Sequence, residues 1–197
     1  MNILKLDNEI FLCKDFLTID ECHIFYDVAQ QVSEDEWKIA NPEKKQWFSN
    51  RIFSILNSER AMDLCGELLV DVEKRYREVF NNLIPDKSLK FVDNKAIYKA
   101  GPGMHMPSHH DVGGNPKVTH GIVTYINDNY TGGEIYYPKL NISLKPEAGS
   151  MVIHPSDLKH THGVKKVIAG TRYSMANFIE NSVDWKHYLW YNILILA

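Results

Sequence analysis

Cysteine is scarce in this chain: Cys13, Cys22 and Cys65 are the only three, an odd and dispersed set with no CxxC pair. That argues against a disulfide framework or a thiolate zinc site and predicts buried or free thiols in a reducing compartment. Long apolar runs are also lacking. No segment approaches the ~20 apolar residues that a membrane-spanning helix needs, so no membrane partner is expected. The first residues, MNILKLDNEIFLCKDF, are interrupted by Asp7 and Glu9 and lack the apolar core of a signal peptide; a cytoplasmic location is expected. Charge of one sign is nearly balanced by the other, 22 Lys+Arg against 25 Asp+Glu for a net charge of −3, which argues against a nucleic-acid footprint. Repeats, low-complexity tracts and linkers are absent. A chain of 197 residues is then most simply one domain, large enough to bury a core without staples.

The first half reads as helical. Residues 3–13 suggest one or two short strands around an Asp-Asn turn. Thr18 with Glu21 three residues later forms a capping box, and Cys22, Phe25, Tyr26, Ala29 and Val32 recur at helical spacing until the helix fades near Ser33. Residues 34–57, with Trp37, Pro42, Trp47, Phe48 and Arg51 among polar residues, have no clean period. They read equally as a lid or substrate loop and as irregular packing. Ser58 then caps a long amphipathic helix ending before Pro85, with Met62, Cys65, Leu68, Leu69, Val72, Tyr76, Val79 and Phe80 as its core stripe. From Phe91 the texture changes to short β-type runs: KAIYK, GIVTYIN, GEIYYP, NISLK, GSMVIHP, GVKKVI and RYSMANFI. Turn residues separate them, which predicts an all-β sandwich or barrel behind the helices, an α+β plan. The apolar end, LWYNILILA, could finish the sheet, cover an edge or contact another subunit.

The chemistry concentrates in MPSHHDVGG, a loop opened by Gly101, Pro102 and Gly103. On an extended backbone His109 and Asp111 point to one side and His110 to the other. Two imidazoles and one carboxylate on one face, with open positions opposite, is the facial triad of non-haem Fe(II) oxygenases. The third ligand is expected from KHTHGV, where His160 and His162 share a parity that spacing from Asp111 does not separate; His105 and His154 add to the clustering. Arg172, ten residues after His162 in the next strand, favours His162. A guanidinium there grips a carboxylate bidentately, which suits a keto acid that chelates the metal at one end and carries a second carboxylate at the other. That molecule is 2-oxoglutarate, and Tyr98 and Tyr125 could add hydroxyl hydrogen bonds to it. Taken singly, these residues have plainer readings: His162 a loop residue, Arg172 a solvated strand residue, the tyrosines core aromatics. Their conjunction within a β-rich half favours the functional reading.

The segments YKAGPGMHMPSHHD, GIVTYINDNYTGGEIYYPKLNISLKPEAGSMVIHP and HTHGVKKVIAGTRYSMANFI resemble the prolyl 4-hydroxylase-type branch of the Fe(II)/2-oxoglutarate dioxygenases. The opening EIFLCKDFLTIDECHIFYDVAQQ is similar to that branch's N-terminal strand and helix. The resemblance implies a double-stranded β-helix (jelly-roll) core over residues 91–180, helical support over 1–90 and a tail over 181–197. It implies His109, Asp111 and His162 as iron ligands, Arg172 as the anchor of the distal 2-oxoglutarate carboxylate, and Tyr98 and Tyr125 as pocket residues. Fe(II), 2-oxoglutarate and O2 would then be required, with the ascorbate dependence common in this branch, and the substrate would be a peptide or protein with a prolyl side chain favoured. Two positions depart from the pattern. Phe178 stands where a Trp near the substrate proline is frequent, and Met104 or His105 where a Tyr is common. Both leave open the same chemistry on a free amino acid or other small molecule; a peptide substrate would need an open groove, for which Trp37, Trp47 and Arg51 are candidates, though they read equally as packing residues of a surface loop. Outside the oxygenases stand two further readings. A non-enzymatic metal- or ligand-binding β-barrel module has no use for Arg172, and a zinc hydrolase would need a general base that no residue volunteers.

Overall fold

Local capping chemistry sets the two helices. A computed structural model of the chain describes residues 1–40, 51–86, 88–92, 94–113 and 115–181. Helix α1 (Ile19–Gln31) opens on the reciprocal box: the Thr18 hydroxyl accepts from Glu21 N at 3.2 Å, and the Glu21 carboxylate accepts from Thr18 N at 2.8 Å. Helix α2 (Glu59–Leu83) opens on Ser58, whose hydroxyl accepts from Ala61 N, and stops before Pro85. The two are clamped by Arg75, which reaches Glu21 at 2.7 and 3.1 Å and donates to the Phe16 carbonyl at 2.9 Å. Neither of these helices is long and apolar enough to cross a membrane.

The strands are β1 (Asn2–Lys5), β2 (Phe11–Lys14), β3 (Lys38–Ile39), β4 (Arg51–Ser54), β5 (Leu89–Val92), β6 (Ala96–Ala100), β7 (Met106–His109), β8 (Val118–Tyr125), β9 (Thr131–Gly132), β10 (Ile135–Tyr137), β11 (Ile142–Leu144), β12 (Met151–Pro155), β13 (His162–Val164), β14 (Val167–Ala169) and β15 (Arg172–Asn181). A nine-stranded sheet runs β1-β2-β12-β8-β15-β6-β4-β3, with β5 also paired to β15, and the pairing throughout is antiparallel. A smaller sheet runs β11-β10-β13-β7, and β9 pairs with β14. Antiparallel sheets facing one another, with two helices on the outer face of the larger, make the double-stranded β-helix expected from the sequence.

Strand alternation divides the buried residues into two cores. On β15, Tyr173, Met175 and Ile179 join Ile122, Met151 and Ile153 under the helical residues Phe25, Val72, Tyr76 and Phe80. On the other side, Leu12, Tyr125, Ile135, Tyr137 and Val152 pack between the sheets. The link between helices and sheet includes a buried hydrogen bond at 2.6 Å between the Tyr76 and Thr124 hydroxyls. The cysteines are all buried free thiols, pushed up to about 11 by burial.

Three details differ from the sequence expectations. Trp37 is not a lid or groove residue: it is 4% exposed and packs on Phe53 and Tyr173, with Lys99 Nζ 5.2 Å from its ring centroid. Arg51, on β4, forms an ion pair with Glu34 rather than facing the cavity described below. The run GVKKVI is two strands, β13 and β14, because Lys165 and Lys166 turn the chain from one sheet to the other pair. Pro42, Trp47, Phe48 and the tail beyond Asn181 lie outside the described residues.

Candidate active site

Strand β7, read from the sequence as loop, is what places the first histidine. His109 ends β7, and the antiparallel register sets it directly opposite His162 at the start of β13, ring centroids 4.6 Å apart. The next residues leave the strand: Asp111 opens a 3-10 turn. Alternation therefore stops at His109, and His110 does not point away as a continued strand would require; it lines the same cavity, its Nδ1 buried without a protein partner. The turn swings Asp111 over β8 at Gly121. A Cβ there would lie 2.8 Å from His154 Nε2 and 2.9 Å from Asp111 Oδ2, so only glycine leaves the space.

His109 Nδ1 lies 3.0 Å from the Pro107 carbonyl and His162 Nδ1 3.1 Å from the His160 carbonyl. A carbonyl only accepts, so each Nδ1 donates and each Nε2 keeps its lone pair. Those two Nε2 atoms stand 3.4 and 3.8 Å from Asp111 Oδ1, while Asp111 Oδ2 accepts from the Ser156 hydroxyl at 3.2 Å. Three acceptors thus converge within 4.8 Å, a set that could hold a metal ion. Among the described residues no lysine or arginine forms an ion pair with Asp111. Such a cluster is stable only around a cation or a shared proton. Burial raises the Asp111 carboxyl, but when the cluster shares a proton in place of a cation the surrounding imidazoles of His109, His162 and His154 outweigh burial and hold the group well below the usual carboxylate range. Burial takes His162 the other way, down to about 4, so its ring is neutral and ready to ligate through the whole physiological range.

Beyond the three lies a cavity of about 430 Å³ lined by Tyr98, Met106, Ile135, Val164 and Arg172, among others. Arg172 is 3% exposed. It donates to the Ser174 hydroxyl at 2.9 Å and stacks over the Tyr125 ring at 4.9 Å, with no carboxylate paired to it among the described residues and Nε without a protein partner. A buried guanidinium without an anion is costly, and it suits a site kept for a ligand's carboxylate. The hydroxyls of Tyr125, Tyr130 and Tyr137 are likewise buried without a protein hydrogen bond. Burial pushes all three phenols up, Tyr130 to about 12, so they stay protonated donors. This donor set fits a dicarboxylate. Tyr98 stands on the cavity wall, and Tyr125 behind Arg172.

Ser156, Tyr130 and Tyr137 carry no signal in the sequence that points to this site, and His154 stands there only as one of several clustered histidines. His154 is fully buried on β12, its ring centroid 4.1 Å from that of His162, and Tyr137 packs against both. The available signal was parity: His154 shares the inward side of β12 with Val152, the one titratable residue in a wholly buried strand. His160 is also buried but faces Asp157, Asp7 and Glu9 instead of the cavity.

Residues 95–180 match the family model of the 2OG-Fe(II) oxygenase superfamily. Among solved structures, a Pseudomonas putida prolyl-4-hydroxylase aligns at TM-score 0.65 with 15% identity, covering 88% of this chain and 92% of that one. A viral collagen prolyl hydroxylase from Paramecium bursaria Chlorella virus-1, in a 2OG complex, aligns at 0.64 with 17% identity over 88% and 97%. A Trichoplax adhaerens prolyl hydroxylase, in complex with a hypoxia inducible factor peptide fragment, aligns at 0.64 with 18% identity over 88% and 84%. At these identities the likeness is one of fold. A comparison with curated protein sequences finds no match.

Proposed function

On the match of residues 95–180 to the 2OG-Fe(II) oxygenase superfamily model, we propose that this chain is an Fe(II)- and 2-oxoglutarate-dependent hydroxylase. The observation that carries this reading is the convergence of His109 Nε2, His162 Nε2 and Asp111 Oδ1 beside a cavity that also holds a buried Arg172 paired with no carboxylate among the described residues. In it the whole chain acts as one oxygenase domain, with residues 1–90 as support and 91–180 as the core.

His109, Asp111 and His162 would hold the iron, each imidazole fixed in its ligating tautomer by a carbonyl and Asp111 steadied by Ser156. Arg172 would receive the distal carboxylate of 2-oxoglutarate, with Tyr98 and Tyr125 as hydroxyl donors and the phenols of Tyr130 and Tyr137 as further candidates. When bound, iron with 2-oxoglutarate and O2 would supply the oxidising chemistry, releasing succinate and CO2 and hydroxylating a substrate C–H bond. Peptidyl proline is the favoured target, supported by the fold shared with prolyl hydroxylases; Phe178, on the cavity wall where that branch often has Trp, supports the small-molecule alternative. A cytoplasmic setting and an ascorbate requirement belong to the same reading.

The test is succinate formation from 2-oxoglutarate with added Fe(II). Asp111→Ala should fall to background. Arg172→Ala should keep metal binding but raise the 2-oxoglutarate requirement by about tenfold or more, the worth of a charge-assisted hydrogen bond. Full consumption by Asp111→Ala would overturn the triad assignment.

A further inference from the structure

The end of the cavity away from Arg172 carries the opposite charge. Strand alternation turns Arg172, Ser174, Ala176, Phe178 and Glu180 of β15 toward one cavity. Gly121, over which Asp111 sits, is the register partner of Phe178. Along β15, Arg172 therefore stands six residues before the metal position and Glu180 two residues after it, roughly 7 Å of strand. The strand thus lays a cation and an anion on either side of the three metal-ready side chains.

Glu180 is partly buried and held in place by Asn115, whose amide donates to Oε1 at 2.7 Å. Its cross-strand partner Lys90 makes no ion pair with it, and no described lysine, arginine or histidine lies within 4 Å of its carboxylate. Val92 and Asn94 on the neighbouring wall and Asn177 of β15 are uncharged, and among the described residues Asp111 is the only other carboxylate lining the cavity. Asp111 is committed to the histidines and Ser156, which leaves Glu180 to meet whatever enters from this side.

Resting on the oxygenase reading above, we propose that Glu180 is a specificity residue and that the substrate carries an ammonium or guanidinium group, received by the Glu180 carboxylate while a nearby C–H bond reaches the metal position. A gap of roughly two strand residues suits a basic side chain or the neighbour of one. A carboxylate held by a single amide, facing an incoming cation in a partly dry cavity, gains a charge-assisted hydrogen bond that a neutral isostere does not offer.

The experiment uses the full chain and two matched probe sets: free lysine and arginine against norleucine and citrulline, and acetylated, amidated Gly-Pro-X-Gly peptides with the same four residues at X. Binding is read by calorimetry with and without Fe(II) and 2-oxoglutarate, and stimulated succinate formation is read in parallel. The cationic probes of one set should bind at least tenfold tighter than their neutral isosteres, and the set that does so identifies a free amino acid or a peptide as the source of the cation. Glu180→Gln should abolish the preference and Glu180→Asp should retain it. Equal binding of cationic and neutral probes in both sets would overturn the proposal, as would a preference that survives Glu180→Gln. A charge preference in a protein that never consumes 2-oxoglutarate would sink the oxygenase reading and leave the role of Glu180 standing.

Discussion

Two histidine–carboxylate clusters, built around residues two apart in sequence, differ in whether the protein supplies its own cation. Around His160, Nδ1 meets Asp157 Oδ1 at 2.8 Å, and Nε2 lies 3.6 Å from Glu9 and 4.0 Å from Asp7. Lys159 closes that group, its ammonium 3.1 Å from Glu9 and 3.8 Å from Asp7. Around His162, the same residue types converge with no lysine or arginine among the described residues paired to the carboxylate, beside a cavity instead of solvent. The lesson is that histidines and acids in proximity do not define a metal centre. What matters is whether the lone pairs are aimed at one point and left without a protein cation.

Exchanging the two histidines breaks the comparison most visibly. His162→Ala should reduce Fe(II)-dependent 2-oxoglutarate consumption to background, because it removes a proposed iron ligand and opens the buried site. His160→Asn should leave consumption within about threefold yet cost about 1–3 kcal/mol of stability, since it unpairs buried polar atoms that are not at the metal position. Equal losses of turnover in the two variants would erase the distinction.

A smaller effect comes from the glycine beneath Asp111. Gly121→Ala puts a methyl 2.8–2.9 Å from His154 and Asp111, so the carboxylate must shift while every proposed ligand remains. Metal affinity should weaken by about 10–100-fold, the range for disturbed ligand orientation. Calorimetric titration with Mn(II) reads this directly, and unchanged affinity would place Asp111 elsewhere.

Acid stability comes last and leaves turnover aside. Folded His162 titrates near 4, against 6.5 when unfolded. Between those values the unfolded chain binds a proton that the folded chain refuses, so the contribution is complete above pH 6.5 and lost as pH falls toward 4. The gap is worth on the order of 3 kcal/mol. Thermal melts of metal-free protein should fall more steeply from pH 6.5 to 4.5 than those of His162→Gln; parallel curves would show that residue 162 is not buried neutral.

What was legible in the sequence follows the range of the interactions concerned. The Thr18–Glu21 box and most of the α2 stripe are set within a few residues and stand where the sequence puts them, although Met62 is exposed and its neighbour Ala61 is buried instead. The β half was legible as runs and turns, and the turn glycines Gly132, Gly133, Gly149 and Gly170 adopt the positive φ that turns require. His110 was not legible, because a 3-10 turn interrupts the alternation on which its orientation was read. Trp37 was not either: its burial depends on Phe53 and Tyr173, the second of them 136 positions away along the chain. Among the site residues, Arg172 favoured His162 over His160 in the sequence, while the β7–β13 register that sets His162 opposite His109 is encoded by no local spacing.

The most direct test is anaerobic. Fe(II) is added to the metal-free protein, followed by 2-oxoglutarate, and the visible absorption is followed. The account predicts a charge-transfer band from a chelated keto acid that grows with 2-oxoglutarate, saturates at one equivalent of iron and disappears in His162→Ala but not in His160→Asn. Iron binding with no band at any 2-oxoglutarate concentration would contradict it.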